Sequence, residues 1–495
     1  MPDPMNVVYL VTDQHRWDIL GCSGHPMVQT PNIDALAAEG TRFTNAFTPS
    51  AICTPARASL FTGLFPTAHG MTANVSPQED LAGWQRGADF PEGVRTLGDM
   101  LRGVELFYFG KWHIGSGVPS AYGFRGHDFP GYGFPGAGLY RDFAFDLSPG
   151  ERNRYAQWLA EKGFEVPAVR EAMHGQNPRM RRQELKALLT GPPEASVPHF
   201  LVDDAVRMLR ADRGAGKPFF AWLNFWGPHS PCLVPEPYYS MYRPEDIPVD
   251  PAFAEGFEGK PTYFRMVSQM WGLDELEWSG WQEIIARYYG YVTLIDHCIG
   301  RFLDGLRGLG LYENTLIVFT SDHGDCLGAH RLFEKGAFMY DAIYRIPLVA
   351  RHPAPARRGA TCDEFVYFHD LCPTAVEAAT GRAPDFGFQS QSILAQMRGE
   401  KAPTGRDHVF GEFTKHFCPF PQRMVRTRTH KFIFNAAAEG ELYDLERDPH
   451  ELHNVNRDPA YAQVKRELMA VLEREMQARD DPLLRWYGSM DWRKY

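Results

Sequence analysis

Short apolar runs alternate with longer helical patterns along most of this chain, and this alternation constrains the fold more than any other feature. Four apolar runs have the length and residue types of buried strands: Val7–Val11, Glu105–Phe109, Phe219–Leu223 and Thr315–Thr320. A helix is predicted over Pro31–Glu39, because Thr30 can cap it, a proline suits its first turn and Gly40 can end it. The expected fold class is α/β, with a large, mostly parallel central sheet sandwiched by helices.

From about residue 406 the pattern changes to short strands with hairpin spacing, at Val409–Phe413, Met424–Arg428, Lys431–Asn435 and Glu441–Leu445. These predict a small C-terminal antiparallel sheet, followed by an amphipathic helix over Tyr461–Arg479. We therefore expect one large α/β domain over residues 1–405 and an α+β subdomain with a tail over 406–495. The polar stretch near 142–198 is expected to be a helical insertion. The tail, Trp486–Tyr495, could pack on the body or on another subunit, so a homo-oligomer is possible.

Composition excludes several classes of protein. The 495 residues suffice for one large domain and a smaller one, and 44% hydrophobic with 23% charged residues is ordinary for a globular protein. The net charge of −10 argues against nucleic acid or an anionic membrane surface as a partner. A local basic pocket could nevertheless bind an anion. No apolar stretch approaches the length that spans a bilayer.

Cysteine usage and the N-terminus indicate a compartment. The eight cysteines are scattered without close metal-type pairs, so neither a disulfide framework nor a zinc ribbon is expected. The first residues lack the basic patch of a signal peptide. A cytoplasmic protein is the simplest expectation, although a mature form without its leader would read the same way.

Polar side chains follow all four predicted strands, at Asp13–Gln14, Lys111–His113, His229 and Asp322–His323. Because ligands of parallel sheets bind beyond the carboxyl ends of the strands, we expect these side chains to lie together. Carboxylate and amide oxygens favour a hard divalent cation such as Ca²⁺, Mg²⁺ or Mn²⁺, and one histidine strengthens the case for Mn²⁺. Taken singly, Asp13 could be a helix cap and Asp322 a turn residue.

Cys53 opens the run Cys53-Thr54-Pro55-Ala56-Arg57, just ahead of a helical pattern that Gly63 ends. A helix N-terminus with an arginine beside it suits an anion. Considered alone, the cysteine could also be a structural thiol or a thiolate nucleophile paired with a histidine.

Several motifs together resemble the formylglycine-dependent sulfatases of the alkaline phosphatase superfamily, in the branch of arylsulfatases and phosphonate monoester hydrolases. They are Ser50–Gly63, Gly63–Gly70, Gly110–Gly115, Thr320–Asp325, Phe333–Gly336 and Glu441–Leu445. In that family a maturation enzyme oxidises the cysteine to formylglycine, whose hydrated form is a diol. One diol oxygen bonds to sulfur as the leaving alcohol departs, which gives a covalent sulfo-enzyme. The second hydroxyl then loses its proton, the carbon–oxygen bond to sulfate breaks and the aldehyde returns.

The resemblance implies hydrolysis of a small or aromatic sulfate monoester, and it assigns roles position by position. The implied metal ligands are Asp13, Gln14, Asp322, His323 and the modified Cys53, with Ca²⁺ as the expected ion and Mn²⁺ or Mg²⁺ as alternatives. The implied catalytic residues are Cys53, Arg57, His113 and His229, and the implied substrate-binding residues are Lys111, Lys335 and Asn74. In these roles Arg57 orients the nucleophile, His113 helps to deprotonate the diol and His229 protonates the leaving oxygen.

Two other functions remain open. Many sulfatases carry an aspartate where Gln14 stands and an asparagine where His323 stands, whereas glutamine and histidine are typical of choline sulfatases and phosphonate monoester hydrolases. A phosphonate monoester or phosphate diester hydrolase, including such an activity as a promiscuous one on the same site, is therefore the second interpretation, although Lys111 with His113 favours sulfate. A non-catalytic anion-binding relative would need a broken nucleophile or metal site, and neither is broken here.

Overall fold

The computed structural model describes residues 4–74, 90–115, 117–128, 149–175, 184–211, 213–214, 216–416 and 418–489. The α-helices that it describes are Pro31–Glu39, Cys53–Thr62, Pro66–His69, Leu97–Met100, Pro149–Lys162, Val197–Ala211, Thr262–Trp271, Trp278–Gly308, Asp341–Tyr344, Leu371–Thr380, Leu394–Met397, Ala462–Ala478 and Leu484–Gly488. Within this part of the chain, every helix is too short or too polar to cross a bilayer.

An eight-stranded central sheet organises the fold. Its strands lie in the order Ala360–Cys362, Thr41–Phe43, Leu348–Arg351, Thr315–Ser321, Asn6–Asp13, Phe219–Pro228, Glu105–Gly110 and Arg125–His127. Leu348–Arg351 is antiparallel to both of its neighbours, and the other neighbouring pairs are parallel. The prediction of a large, mostly parallel sheet is therefore confirmed, and the four predicted strands lie side by side at its centre.

The central strand Asn6–Asp13 shows why helices cover both faces of the sheet. All eight of its residues are buried. Because side chains of a strand point alternately to opposite faces, Val8 and Leu10 pack in one apolar cluster while Val7 and Tyr9 pack in the other. The first cluster includes the helix Trp278–Gly308, and the second includes Leu371–Thr380. Such two-sided burial is typical of parallel sheets.

The predicted C-terminal sheet is also confirmed. Four antiparallel strands follow one another, at His408–His416, Cys418–Thr427, His430–Asn435 and Glu441–Asp444. Helix Ala462–Ala478 packs on them through Leu468, Leu472 and Met476. In the tail, Tyr487 is buried with its ring centroid 5.1 Å from that of Phe434, so this part packs on the body. Residues 490–495 of the predicted tail lie outside the described residues.

The insertion predicted near 142–198 as helical also contains strands. Its helix is Pro149–Lys162, but Val169–His174 and Glu184–Leu189 form a three-stranded sheet with Cys232–Pro235. The third strand comes from a segment more than 40 residues away, so local periodicity could not reveal this pairing. Residues 142–148 and 176–183 of the insertion lie outside the described residues. The domain boundary at 405 stays a prediction.

Gly110 lets two central strands approach closely where one of them ends. Its φ is 91°, and a Cβ built there would lie 1.8 Å from the carbonyl oxygen of Asn224. The next residue, Lys111, donates its backbone N–H to that same oxygen at 3.2 Å. A side chain at position 110 would therefore displace the backbone that carries Lys111.

We expect Gly110→Ala to lower the free energy of unfolding by about 2–5 kcal/mol. The energetic cost of left-handed backbone in a non-glycine residue adds to the cost of the collision with Asn224. Gly103→Ala is the matched control, since Gly103 has φ 90° with nothing within 4 Å of its Cβ position. The control should lose only about 1–2 kcal/mol. Chemical denaturation of both variants measures the difference, and equal losses would contradict the close-approach argument.

His369 should make the stability of the fold depend on pH. Its ring is fully buried, with its centroid 4.6 Å from that of Phe65 and 4.8 Å from that of Tyr367. Burial lowers the pKa of His369 to about 3. The unfolded chain binds a proton here below about pH 6.5, whereas the folded chain stays neutral until about pH 3. The free energy of unfolding therefore falls as the pH falls between these values.

We expect His369→Leu to lose the pH dependence of stability that His369 contributes. Between pH 6 and pH 4 its free energy of unfolding should therefore fall less steeply than that of the wild type. The difference in slope should approach about 1.4 kcal/mol per pH unit. His453→Leu is the control, because the His453 side chain is 79% exposed. Identical slopes for His369→Leu and the wild type would show that His369 is not the buried neutral group.

Candidate active site

Four buried side chains meet beyond the carboxyl ends of the central strands. One potential ligand atom from each of Asp13, Cys53, Asp322 and His323 lies within 4.8 Å of the others, and all four residues are 0% exposed. Asp13 ends one strand, and Asp322 follows the neighbouring parallel strand, so the sheet itself brings the two carboxylates together. Cys53 is the first residue of helix Cys53–Thr62, which aims its N-terminus at the carboxylates. We call these four residues the cation cluster.

His323 is oriented as a metal-binding histidine should be. Its Nδ1 lies 2.9 Å from the carbonyl oxygen of Gly324, which can only accept, so Nδ1 carries the proton and Nε2 faces the cluster. Burial acts to lower the pKa of His323, but the charge of Asp322, followed by that of Cys53, raises it to about 9. The cluster thus favours positive charge at Nε2. The donor set fits a divalent cation, which requires Nε2 to give up its proton.

Arg57 joins the two carboxylates of the cluster. Its Nη2 donates to Asp13 Oδ2 at 3.1 Å and its Nε donates to Asp322 Oδ2 at 2.8 Å, with all three side chains fully buried. Its Nη1 donates to Asn224 Oδ1 at 2.9 Å and to the carbonyl oxygen of Lys111 at 3.1 Å. Arg57 therefore positions the two carboxylates, and its role in orienting the residue at position 53 stays a prediction.

The two carboxylates differ in how readily they ionise. Burial, followed by the charge of Asp13, raises the pKa of Asp322 to about 6. Burial and Cys53 act to raise the pKa of Asp13 as well, but the positive charges of Lys111 and Arg57 hold it below its ordinary value. Asp13 is thus the firmly ionised member of the pair, because Lys111 Nζ lies only 2.5 Å from its Oδ2.

Cys53 lies in strongly positive surroundings. Its Sγ is 3.2 Å from His323 Nε2 and 3.9 Å from Asp13 Oδ1. Burial opposes ionisation, but the charges of Lys111, Lys335 and His323 lower the pKa of the Cys53 thiol well below its ordinary value. Whatever group stands at this position is therefore stabilised when it carries negative charge.

Lys335 connects two other predicted site residues. Its Nζ donates to Gln14 Oε1 at 2.6 Å and lies 2.7 Å from His229 Nε2. His229 Nδ1 lies 2.6 Å from the carbonyl oxygen of Ser230, so Nδ1 carries a proton and Nε2 faces Lys335. Burial acts to lower the pKa of Lys335, but Glu334, followed by Cys53, raises it above its ordinary value, which keeps the ammonium charged.

The remaining predicted residues surround the start of the helix. Lys111 Nζ lies 4.2 Å from the ring centroid of Trp226, besides its contact with Asp13. The carbonyl oxygen of His113 accepts from Thr54 Oγ1 at 2.8 Å, and the His113 side chain helps to lower the pKa of the Cys53 thiol. Asn74 Oδ1 accepts from the backbone N–H of Thr54 at 3.0 Å. Asn74 thus contacts the helix backbone, and its role in substrate binding stays a prediction.

Three residues of this site were missing from the sequence-based prediction. Asn224 accepts from Arg57, and Asp325 accepts from Gln14 Nε2 at 2.6 Å. Asn224 and Asp325 each come shortly after a predicted strand. The rule that ligands bind beyond the carboxyl ends of parallel strands could therefore have found them too. His416 comes from the C-terminal sheet, and burial with the nearby charge of Lys335 lowers its pKa to about 3. No local sequence signal connects His416 to this site.

The C-terminal subdomain also fixes the segment that carries Lys335. Lys431 Nζ donates to Asp341 Oδ1 at 2.5 Å and to Glu451 Oε1 at 2.6 Å. The backbone N–H of Asp341 donates to Glu451 Oε2 at 2.7 Å. Asp341 lies six residues after Lys335, so Lys431 and Glu451 tie this segment to the C-terminal part of the chain.

Comparison with known proteins identifies the class that this fold and site define. Residues 5–381 match the Sulfatase family model, and residues 328–478 match the model for the C-terminal part of N-sulphoglucosamine sulphohydrolase. The chain therefore belongs to the sulfatase family, within the alkaline phosphatase superfamily. It is a sulfuric ester hydrolase, as the motifs predicted.

Individual relatives cover almost all of the chain. The arylsulfatase of Clostridium perfringens is 30% identical over 96% of this chain and 95% of its own length. The multifunctional alkaline phosphatase superfamily protein PehA of Trinickia caryophylli is 30% identical over 93% of both chains. The crystal structure of the phosphonate monoester hydrolase of Agrobacterium radiobacter is 26% identical, with a TM-score of 0.74 and coverage of 96% and 95%. The chain is thus similar to enzymes named for both sulfate and phosphonate esters.

Proposed function

We propose that this protein hydrolyses sulfate monoesters with a formylglycine formed from Cys53 as nucleophile, through a covalent sulfo-enzyme. The supporting observation is the position of Cys53 at a helix N-terminus and within the buried cation cluster, where the charges of Lys111 and Lys335 lower the pKa of its thiol. A formylglycine diol would supply both the attacking oxygen and the hydroxyl that later expels sulfate. A divalent cation held by the cluster with Gln14 would make the attacking hydroxyl more acidic.

The residues of the chain then bind and orient the ester. Lys111 and Lys335 offer two ammonium groups that attract sulfate oxygens and offset charge in the transition state. His113, whose side chain helps to lower the pKa of the Cys53 thiol, would remove a proton from the group at that position. His229 Nδ1 bonds to the carbonyl oxygen of Ser230, and its Nε2 lies 2.7 Å from Lys335 Nζ. Once Nε2 carries a proton, it can pass that proton to the leaving oxygen.

Phosphonate monoester hydrolysis is the second candidate, and Gln14 with His323 favours it together with the phosphonate monoester hydrolase relative. Both reactions need the same cation cluster, nucleophile and pair of lysines, so both activities can share the site. Parallel measurement of kcat/KM on an aryl sulfate and on the phenylphosphonate ester of the same phenol ranks them. We expect the higher value on the sulfate.

A thiolate nucleophile is the alternative for Cys53 itself, because Sγ lies 3.2 Å from His323 Nε2. The mass of the intact protein distinguishes the two. Conversion to formylglycine replaces sulfur by oxygen and removes hydrogen, so the converted chain is lighter than its sequence mass. A formylglycine-generating maturation enzyme would have to act on Cys53 before the chain folds, since Cys53 is 0% exposed afterwards.

We expect Cys53→Ala to abolish multiple turnover while the far-ultraviolet circular dichroism spectrum and the melting temperature stay near those of the wild type. The physical reason is that alanine offers no nucleophile, although it fits the space. Cys372→Ala is the matched control, because Cys372 is equally buried but lies outside the cluster. Near-normal turnover by Cys53→Ala would refute the assignment, and an active wild type of unchanged mass would favour the thiolate.

We expect His229→Ala to depend on the leaving group of the ester. Sulfates of poorly acidic alcohols should lose about 10²–10⁴-fold in kcat/KM, because they need protonation by a general acid. A 4-nitrophenyl sulfate, whose leaving group departs as an anion, should lose far less. Steady-state kinetics on the two esters measures this. An equal loss on both would instead mean that His229 acts by holding Lys335.

A further inference from the structure

The side-chain amide of Gln14 lies between an acceptor and a donor. Its Nε2 donates to Asp325 Oδ2 at 2.6 Å, and its Oε1 accepts from Lys335 Nζ at 2.6 Å. The two ends of an amide have nearly the same shape, but one donates and the other accepts. These two contacts therefore decide that Gln14 presents an oxygen, and not an NH₂ group, to Lys335.

Asp325 can only accept at this position. Its Oδ1 accepts the backbone N–H groups of Leu327 at 2.7 Å and Glu334 at 3.1 Å, which leaves Oδ2 for Gln14. The residue is 2% exposed, so water does not compete freely for these contacts. The two backbone donors fix the carboxylate, and the carboxylate in turn fixes the amide.

The Gln14 backbone is tied to the cation cluster as well. Its N–H donates to Asp322 Oδ1 at 3.2 Å, and its φ of 66° lies in the left-handed region, which non-glycine residues rarely adopt. The main chain and the side chain of Gln14 are thus both held by aspartates of the segment Thr320–Asp325.

We propose that Asp325 is a positioning residue that orients the Gln14 amide oxygen as a ligand for the divalent cation of the proposed site. This inference rests on the proposed cation site. Asp325 does not contact the cation or the ester; it acts through Gln14. Partners of this kind typically change metal affinity 10–100-fold when they are lost.

Asp325→Asn should reverse the amide. Its oxygen would keep the backbone bonds to Leu327 and Glu334, so its NH₂ group would face Gln14. The Gln14 amide would then have to turn its oxygen toward position 325 and its NH₂ group toward Lys335 and the cation. We expect the dissociation constant for the cation to rise about 10–100-fold.

The double variant Gln14→Glu/Asp325→Asn exchanges donor and acceptor within the pair. The carboxylate at position 14 accepts from the new amide with one oxygen and offers the other to the cation and Lys335. Because this exchange also preserves the net charge of the pair, cation affinity should return to within about threefold of the wild type. Gln14→Glu alone would place two carboxylates against each other, so it should bind the cation more weakly than the double variant does.

Asp296→Asn is the matched control. Asp296 is 0% exposed and accepts from two backbone N–H groups, of Asn32 at 3.2 Å and Ile33 at 2.8 Å, and from the side-chain amide of Asn32 at 2.8 Å. It therefore repeats the bonding of Asp325 on the helix Trp278–Gly308, away from the cluster. This variant should lose stability but keep its cation affinity.

The test is calorimetric titration of chelator-treated full-length protein with CaCl₂ and with MnCl₂, supported by the shift in melting temperature at saturating cation. Weak binding by Asp325→Asn, recovery in the double variant and wild-type binding by Asp296→Asn would support the proposal. Wild-type affinity in Asp325→Asn, or no recovery in the double variant, would overturn it. If Asp325→Asn does not fold, the double variant compared with Gln14→Glu gives the same decision.

The titration uses no ester and does not require converted Cys53. Loss of sulfatase activity in the Cys53 and His229 experiments can therefore refute the proposed reaction while the role of Asp325 stands. Conversely, a wild-type protein that binds neither Ca²⁺ nor Mn²⁺ overturns the positioning role together with the cation site.

Discussion

The buried ion pairs of Arg57 with Asp13 and Asp322 are the interaction on which the rest of the site depends. Two carboxylates in one dry place repel each other, and removing either from water is costly. The guanidinium offsets both charges at once with directed hydrogen bonds, and it reaches the carbonyl oxygen of Lys111 and the side chain of Asn224 as well. The ends of four strands and one helix are thereby joined at the Arg57 guanidinium group.

Backbone strain concentrates around the same place. Gln14, His113 and Glu334 all have φ between 53° and 66°, although none is a glycine. Each such residue costs about 1–3 kcal/mol and persists only where its surroundings hold it. Here the surroundings are named contacts: Asp322 accepts from Gln14, and Asp325 accepts from Glu334. The charge network therefore also stabilises the loop conformations that deliver the reactive side chains.

The sequence was sufficient for the central sheet and for most of the residues that meet at its edge. The strong apolar runs and the alternation of strands with helices predict that Asp13, His229 and Asp322 lie together, before any contact is known. It was insufficient where a contact depends on partners remote in the chain. No local periodicity marks the pairing of Glu184–Leu189 with Cys232–Pro235, or the effect of the Lys335 charge on the pKa of His416. The sequence also could not predict the orientation of the Gln14 amide. Its oxygen and its NH₂ group have nearly the same shape, and only the neighbouring donors and acceptors distinguish them.

The junction of Lys431, Asp341 and Glu451 couples the second sheet to the segment that bears Lys335. Two parts of the chain thus support Lys335, which we propose to bind the anion, whereas the cation cluster belongs to the first part alone. Under the proposed function, a change in the C-terminal sheet could alter how Lys335 binds the anion and leave the cation cluster unchanged. A scaffold divided in this way is suited to serve many esters with one chemistry.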